Sequence, residues 1–157
     1  MSGSKSFPTS DAPESPERTE VVLSLTTVYK MLPLVQQIAQ DIVTSHKTIA
    51  RLQPEGEVLD RKRHSLDWPE RKRRYEVKEE MAKADKELEV AHNELRELGL
   101  VVVNETEGGI GFPTMVNNGR AFFSWHLGDN GIQHWCFADE DNERPVPASW
   151  LKEVASR

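Results

Sequence analysis

Residues 94–103, with the sequence ELRELGLVVV, contain the change of pattern on which the fold depends. Before Gly99, apolar residues recur every three or four positions, which is the period of an α-helix. After Gly99, the segment Leu100–Val103 is rich in β-branched valine and is typical of a strand. A glycine directly after a helical pattern is also typical of a left-handed C-terminal cap. We therefore predict that a helix ends at Gly99 and that a sheet follows it.

The helix that ends at Gly99 is predicted to begin at Asp67-Trp68-Pro69-Glu70. Aspartate is a good N-terminal cap, proline is tolerated in the first turn, and a glutamate three residues after the cap completes a capping box. The apolar residues of this helix alternate in steps of four and three and would form one narrow stripe: Val77, Met81, Ala84, Leu88, Ala91, Leu95 and Leu98.

An earlier helix of about 26 residues is predicted from a second apolar stripe, with Thr26 or Thr27 as its cap. Pro33 removes an amide donor from this helix, which predicts a kink or a late start near Lys30. The polar residues 54–68 contain the turn. Two such helices are expected to pack as an antiparallel, coiled-coil-like hairpin. The apolar stripe of this earlier helix consists of Val28, Leu32, Val35, Ile38, Ala39, Ile42, Ile49 and Leu52.

The sheet that follows is predicted to be small and antiparallel. Residues 110–114 would be a short edge segment because Pro113 cannot donate to a central ladder. Two further strands, 120–127 and 132–137, would form a hairpin with a two-residue turn at Asp129-Asn130. Because side chains alternate along a strand, that register places Trp125 and Trp135 on opposite faces, and likewise His126 and His134.

The predicted fold class is therefore α+β, a long antiparallel helical hairpin followed by a small antiparallel sheet. Residues 1–20 are rich in serine, proline and glutamate and are predicted to be a disordered tail. The hairpin would occupy residues 21–99. The sheet, with an irregular C-terminal segment closed by one helical turn, would occupy residues 100–157. Residues 21–157 would form one structural domain.

Composition limits the classes of function. The net charge of −6 gives the whole chain no electrostatic footprint for nucleic acid or anionic lipid. The single cysteine, Cys136, excludes an intrachain disulfide and a multi-cysteine zinc site, and it fits a reducing compartment. No segment has the length of a signal peptide core or the roughly 18 apolar residues needed to cross a bilayer. We predict a cytoplasmic protein.

The predicted hairpin of residues 120–137 and the segment after it carry the residues that are best suited to bind a ligand or to react. His134 lies two positions from Cys136 and could lower the pKa of the thiol, whereas the alternative is a packed histidine beside an inert cysteine. Trp125 and Trp135 predict an aromatic surface, and Arg144 could orient an anionic ligand. We predict a ligand or partner surface at these five residues, with no catalytic residue, metal site or cofactor.

Two basic runs, residues 61–64 and 71–74, flank the turn of the helical hairpin. They could contact phosphate groups. Acidic residues are interleaved with them, however, and four consecutive helical residues spread around the helix instead of forming one face. A solvated, salt-bridged surface is the preferred interpretation.

The chain resembles a bacterial and archaeal family described as domain of unknown function 2203, over approximately residues 23–150. The resemblance implies the layout of helical hairpin and sheet and a cytoplasmic setting, and it implies no established reaction. The chain has Gly111, Gly128-Asp129 and Trp135-Cys136 where that family often has an acidic residue, Gly-Glu and Trp-His. The matching stretches are Leu32-Pro33-Leu34-Val35, Glu97-Leu98-Gly99, Gly111-Phe112-Pro113, Ser124-Trp125-His126-Leu127-Gly128-Asp129, Ile132, Trp135 and Arg144-Pro145.

These patterns favour a non-catalytic binding or protein-interaction module. Its hairpin would support self-association or contact with a protein partner, while nucleic acid and membranes are not expected partners. The alternative is a small enzyme or cofactor-binding protein with a site around Trp125, His134, Cys136 and Arg144.

Overall fold

A computed structural model describes residues 22–155 and confirms the α+β class. The predicted tail over 1–20 lies outside the described residues. Two long helices pack against each other, and five antiparallel strands follow in the spatial order β1-β2-β3-β4-β5. The elements are α1 (Leu25–Arg61), α2 (Trp68–Glu97), β1 (Val101–Asn104), β2 (Gly109–Val116), β3 (Gly119–His126), β4 (His134–Phe137), β5 (Arg144–Pro145) and α3 (Ala148–Ala155).

The first helix begins earlier than predicted. Its cap is Ser24, whose hydroxyl oxygen accepts a hydrogen bond from the amide of Thr27, so the expected caps at Thr26 and Thr27 are already inside the helix. The helix then continues through Pro33, and the predicted late start near Lys30 is wrong.

The first helix also ends later than predicted. It continues past Pro54 as far as Arg61, which gives it 37 residues. The physical reason is burial on both sides of the proline. Leu52 and Leu59 both pack into one apolar cluster with Val77 of α2, and this burial offsets the loss of one amide donor.

Both ends of α2 follow the predicted local chemistry. The Asp67 carboxylate accepts a bond from the amide of Glu70, and the Glu70 carboxylate accepts one from the amide of Asp67, which confirms the capping box. At the other end Gly99 has a φ of 82°, and the amide of Leu100 donates to the carbonyl of Leu95. This is the Schellman arrangement, and it turns the chain from helix into sheet.

The apolar interior is divided into two clusters. The larger one joins α1, the C-terminal half of α2 and one face of the sheet, which we name the inner sheet face. Its largest fully buried side chain is Trp125, with 1% of its surface exposed. The smaller cluster lies near the turn of the helical hairpin and contains Leu52, Leu59, Leu66 and Val77, with Met81 packed against it.

The second strand is longer and more central than predicted. β2 has eight residues and lies between β1 and β3, so the prediction of a short edge segment is wrong. Proline is tolerated because Pro113 lies beyond the last residue of β2 that pairs with β1. Its carbonyl instead accepts a bond from the amide of Leu23, and the hydroxyl of Thr114 donates to the carbonyl of Leu23.

The predicted register between β3 and β4 is wrong by one residue. Trp135 lies opposite Phe123, and side chains directly opposite each other share a face. Trp125 and Trp135 therefore both lie on the inner sheet face, where both are buried. By the same alternation, His126 and His134 share the other face, which we name the outer sheet face.

The connection between β3 and β4 explains this shift. It is a loop over residues 127–133 instead of a two-residue turn. The Asp129 carboxylate accepts a bond of 3.0 Å from the amide of His126. The hydroxyl of Tyr29, on α1, accepts a bond of 3.0 Å from the amide of Ile132. These contacts satisfy the amides of His126 and Ile132 outside the β3–β4 ladder, so no two-residue turn fixes the pairing of these strands.

The C-terminal segment packs on the inner sheet face. It contains β5 and the eight-residue α3 instead of the single helical turn predicted. The ring of Trp150 lies 5.6 Å from that of Trp135 and 6.3 Å from that of Phe123. Within residues 22–155, no helix combines the length and the apolar character that crossing a membrane requires.

Candidate functional site

The outer sheet face carries the polar and sulfur-containing side chains of the sheet. Gly109 and Gly111 lie at its centre, but a Cβ atom at Gly111 would stand only 2.9 Å from Cγ2 of Val101. At Gly109 it would stand 3.0 Å from Cγ2 of Val103. The valines therefore occupy the space over the glycines, and this part of the face has no deep recess. Other members of the face include Met115, Arg120, Phe122, Ser124, His126, His134 and Cys136.

The surroundings of Cys136 on this face favour the protonated form of its thiol. Burial raises its pKa, and the negative charge of Glu143 raises it further. A side-chain hydrogen bond with Ser124, itself buried, acts in the opposite direction but is the smaller influence. A thiolate is needed for nucleophilic chemistry or metal binding, and these surroundings disfavour it. His134 is exposed and lies opposite Ser124 in the ladder.

The five residues predicted as a ligand or partner surface are divided between the two faces. Trp125 and Trp135 are buried on the inner face, and His134 and Cys136 lie on the outer face. The guanidinium of Arg144 lies 5.4 Å from the ring of Trp135 and also contacts a glutamate carboxylate. The structure therefore does not bring all five together. A role for these residues as a ligand or partner surface stays a prediction.

A second polar cluster lies where the sheet meets both long helices. Glu105, in the turn between β1 and β2, has one carboxylate oxygen 2.5 Å from Nε2 of His92 and the other 4.0 Å from Nε2 of His46. This cluster ties the first turn of the sheet to α1 and α2. In the described part of the chain, no group of three or more potential ligands is arranged to hold a metal ion.

The basic runs near the hairpin turn are partly neutralised across the two helices. Arg73 makes two hydrogen bonds, of 2.7 and 2.8 Å, to the carboxylate of Glu55. Arg74 makes one of 2.8 Å to Asp60. The hydrogen bond from Arg73 holds the pKa of Glu55 below its usual value, and that from Arg74 does the same for Asp60. The predicted salt-bridged surface is confirmed for these two arginines.

An exposed aromatic surface lies beside these ion pairs, on the face of α2 turned away from α1. Trp68 and Tyr75 are each 64% exposed. Lys72 lies between them, and its ammonium nitrogen is 5.7 Å from the ring of Trp68. The spacing of four and three residues places all three on one side of the helix.

The same side of α2 is exposed along the whole helix. Residues 68, 72, 75 and 79 repeat at helical spacing, as do 86, 90, 93 and 97, and Val90 is 48% exposed. We name this surface the α2 stripe, and it consists of Trp68, Lys72, Tyr75, Glu79, Ala82, Lys83, Lys86, Val90, Asn93 and Glu97.

Sequence reasoning missed the α2 stripe. The sequence pattern alone gives Trp68 a place only in a helix start and gives Tyr75 no role. A signal was present, because both aromatic residues fall outside the apolar stripe that begins at Val77. At about 100° per residue, Tyr75 points some 160° away from Val77. An aromatic pair on the polar side of an amphipathic helix needs an explanation other than the core.

Comparison with known proteins gives one match. A family model described as "Uncharacterized conserved protein (DUF2203)" matches residues 22–143. No curated protein matches the chain, and no solved structure does.

Proposed function

This chain belongs to the DUF2203 family of uncharacterized conserved proteins, and on that premise we propose that it is a non-catalytic protein-interaction module. Its contact surface is the α2 stripe. The family has no established activity, so the proposal depends on the surface itself.

The observation that carries the proposal is the exposure of two large aromatic side chains on one side of a long helix. Trp68 and Tyr75 leave 64% of their surfaces in contact with solvent. Tryptophan and tyrosine are enriched in the centres of protein interfaces, where they provide much of the binding energy. The ammonium group of Lys72 lies over the ring of Trp68, so the stripe also presents a positive charge on an aromatic face.

The alternative of a small enzyme receives less support. Trp125 is enclosed in the core, whereas His134 and Cys136 lie on the opposite face of the sheet. The raised pKa of Cys136 also favours the protonated, unreactive thiol at neutral pH.

Site-specific photo-crosslinking tests the proposal. p-Benzoylphenylalanine is incorporated in place of Tyr75, on the stripe, and in a matched protein in place of Asp85, which is exposed on another side of α2. After irradiation in cells that express the full chain, we expect a protein adduct at position 75 and little at position 85. Trp68→Ala should reduce that adduct. Equal yields at both positions, or none at 75, would contradict an interaction through the stripe.

A further inference from the structure

We propose that the partner on the α2 stripe is a second copy of this chain, with the two α2 helices antiparallel and a two-fold axis between residues 82 and 83. The inference rests on the proposed function and names its partner. It follows from the spacing, chemistry and charge of one exposed helix face.

The spacing of the stripe is symmetric about the proposed axis. Its positions 68, 72, 75 and 79 are separated by steps of four, three and four. Positions 86, 90, 93 and 97 are separated by the same steps in the reverse order. When two such helices lie antiparallel, position 79 therefore faces 86, 75 faces 90, 72 faces 93 and 68 faces 97. A two-fold axis makes each of these contacts occur twice.

Two of the four pairs of side chains brought together by this symmetry are complementary. Tyr75 meets Val90, so two large and largely apolar side chains of the stripe cover each other. Glu79 meets Lys86, and their opposite charges attract. Ala82 lies beside the axis, where a small side chain permits the helices to approach closely.

A groove beside Val90 offers further room for the tyrosine. It opens between α1 and α2 with a volume of about 420 Å³. Asp41 and Thr44 line it from α1, and Glu87 and Glu94 line it from α2. The ring of Tyr75 from the second copy would rest on Val90 at its edge.

The net charges of the two ends of α2 match in the same arrangement. Residues 68–78 contain five basic and two acidic side chains, and two carboxylates of α1, Glu55 and Asp60, pair with Arg73 and Arg74, which leaves a net charge of +1. Residues 87–97 contain four acidic side chains and one basic one, which gives −3. Antiparallel pairing places each basic end along the acidic end of the other copy. Parallel pairing would instead place like charges together, so the charge pattern selects the antiparallel orientation.

A charge exchange on the stripe tests this arrangement by sedimentation equilibrium, since the chain has a mass of 17.9 kDa and a dimer twice that. Glu79→Lys places two lysines against each other at two symmetric points. We expect its dissociation constant to rise about five- to thirtyfold, the equivalent of two like-charge contacts of about 0.5–1 kcal/mol each. Adding Lys86→Glu should restore dimerisation. Asp85→Lys makes the same charge change away from the stripe and should leave the constant unchanged.

The outcomes separate this inference from the proposed function. A dimer weakened by Glu79→Lys and restored by the double exchange supports it. A dimer whose dissociation constant is unchanged in both the single and the double variant contradicts the antiparallel arrangement. A monomer at all concentrations, with an adduct to a different protein at position 75, overturns self-association and leaves the interaction module standing. A monomer without any adduct overturns both. Circular dichroism of each variant verifies that α2 remains helical.

Discussion

Removing the hydroxyl of Tyr29 by Tyr29→Phe should destabilise the fold through one buried amide. The hydroxyl accepts the hydrogen bond from the amide of Ile132, and Ile132 is only 2% exposed. The phenylalanine ring would keep the apolar contacts of the tyrosine but would leave that amide without its partner. An unsatisfied buried donor costs about 1–3 kcal/mol, and some relaxation of the loop places the expected loss at about 1–2 kcal/mol.

Urea unfolding followed by circular dichroism measures this loss, and thermal unfolding should show Tm falling by roughly 2–8 °C. The control is Tyr75→Phe, because the chain has only two tyrosines and the second is exposed on the α2 stripe. This variant should stay within about 0.5 kcal/mol of the unchanged protein. Equal stabilities of the two variants would refute the assignment of a buried hydrogen bond between α1 and the loop.

Asp67→Ala removes the capping box of α2 and should lower the free energy of unfolding by about 1 kcal/mol, whereas Asp67→Asn should retain most of the stabilisation by the cap. Equal Tm values for the two variants would contradict a stabilising cap at Asp67. The rate of Cys136 alkylation by iodoacetamide, measured against pH, should have its midpoint above the ordinary thiol pKa of about 8.5 in the native protein. In urea the midpoint should move back towards that ordinary value. A lower midpoint in the native state would contradict burial of the thiol. The carboxyl of Glu55 should titrate below its ordinary pKa of about 4.3 by carbon NMR, and Arg73→Gln should raise the midpoint. The stabilisation from the Arg73–Glu55 pair is present at pH values above that ordinary pKa and is lost as the pH falls through the lowered pKa. A Glu55 midpoint that is the same in Arg73→Gln and in the unchanged protein would contradict this ion pair.

The parts of the fold that could be predicted are those specified by neighbouring residues. The capping box at Asp67 and Glu70 needs only residues three apart, and the helix stop at Gly99 needs only the backbone freedom of one glycine. The change of period at that glycine identified the order of hairpin and sheet. These signals are local, so the sequence contains them in readable form.

The parts that could not be predicted depend on contacts between distant residues. The β3–β4 register follows from a loop whose amide at Ile132 is bound by Tyr29, which lies 103 residues earlier in the chain. Alternation within the hairpin contains no information about that contact. The extension of α1 past Pro54 likewise depends on burial against α2, because the local preference of proline opposes it.

The candidate surface required the structure for a different reason. Helical periodicity identifies the side of α2 that packs on α1, but it does not show whether another element covers the remaining side. Trp68 and Tyr75 could have been buried beneath the C-terminal segment, which instead packs on the sheet through Trp150.

The division of the apolar interior implies that the helical hairpin does not unfold as one unit. The end of the hairpin at the turn between α1 and α2 is stabilised by the four residues of the smaller cluster and by ion pairs such as Arg73–Glu55. The end near the sheet is part of the larger cluster. Segments with few buried contacts open at a lower free energy than the whole molecule. Amide hydrogen exchange should therefore be faster around Leu59 and Leu66 than around Ile42 and Leu95. Within a dimer, the segment that opens first would also be the one that carries Trp68, so association would slow its exchange.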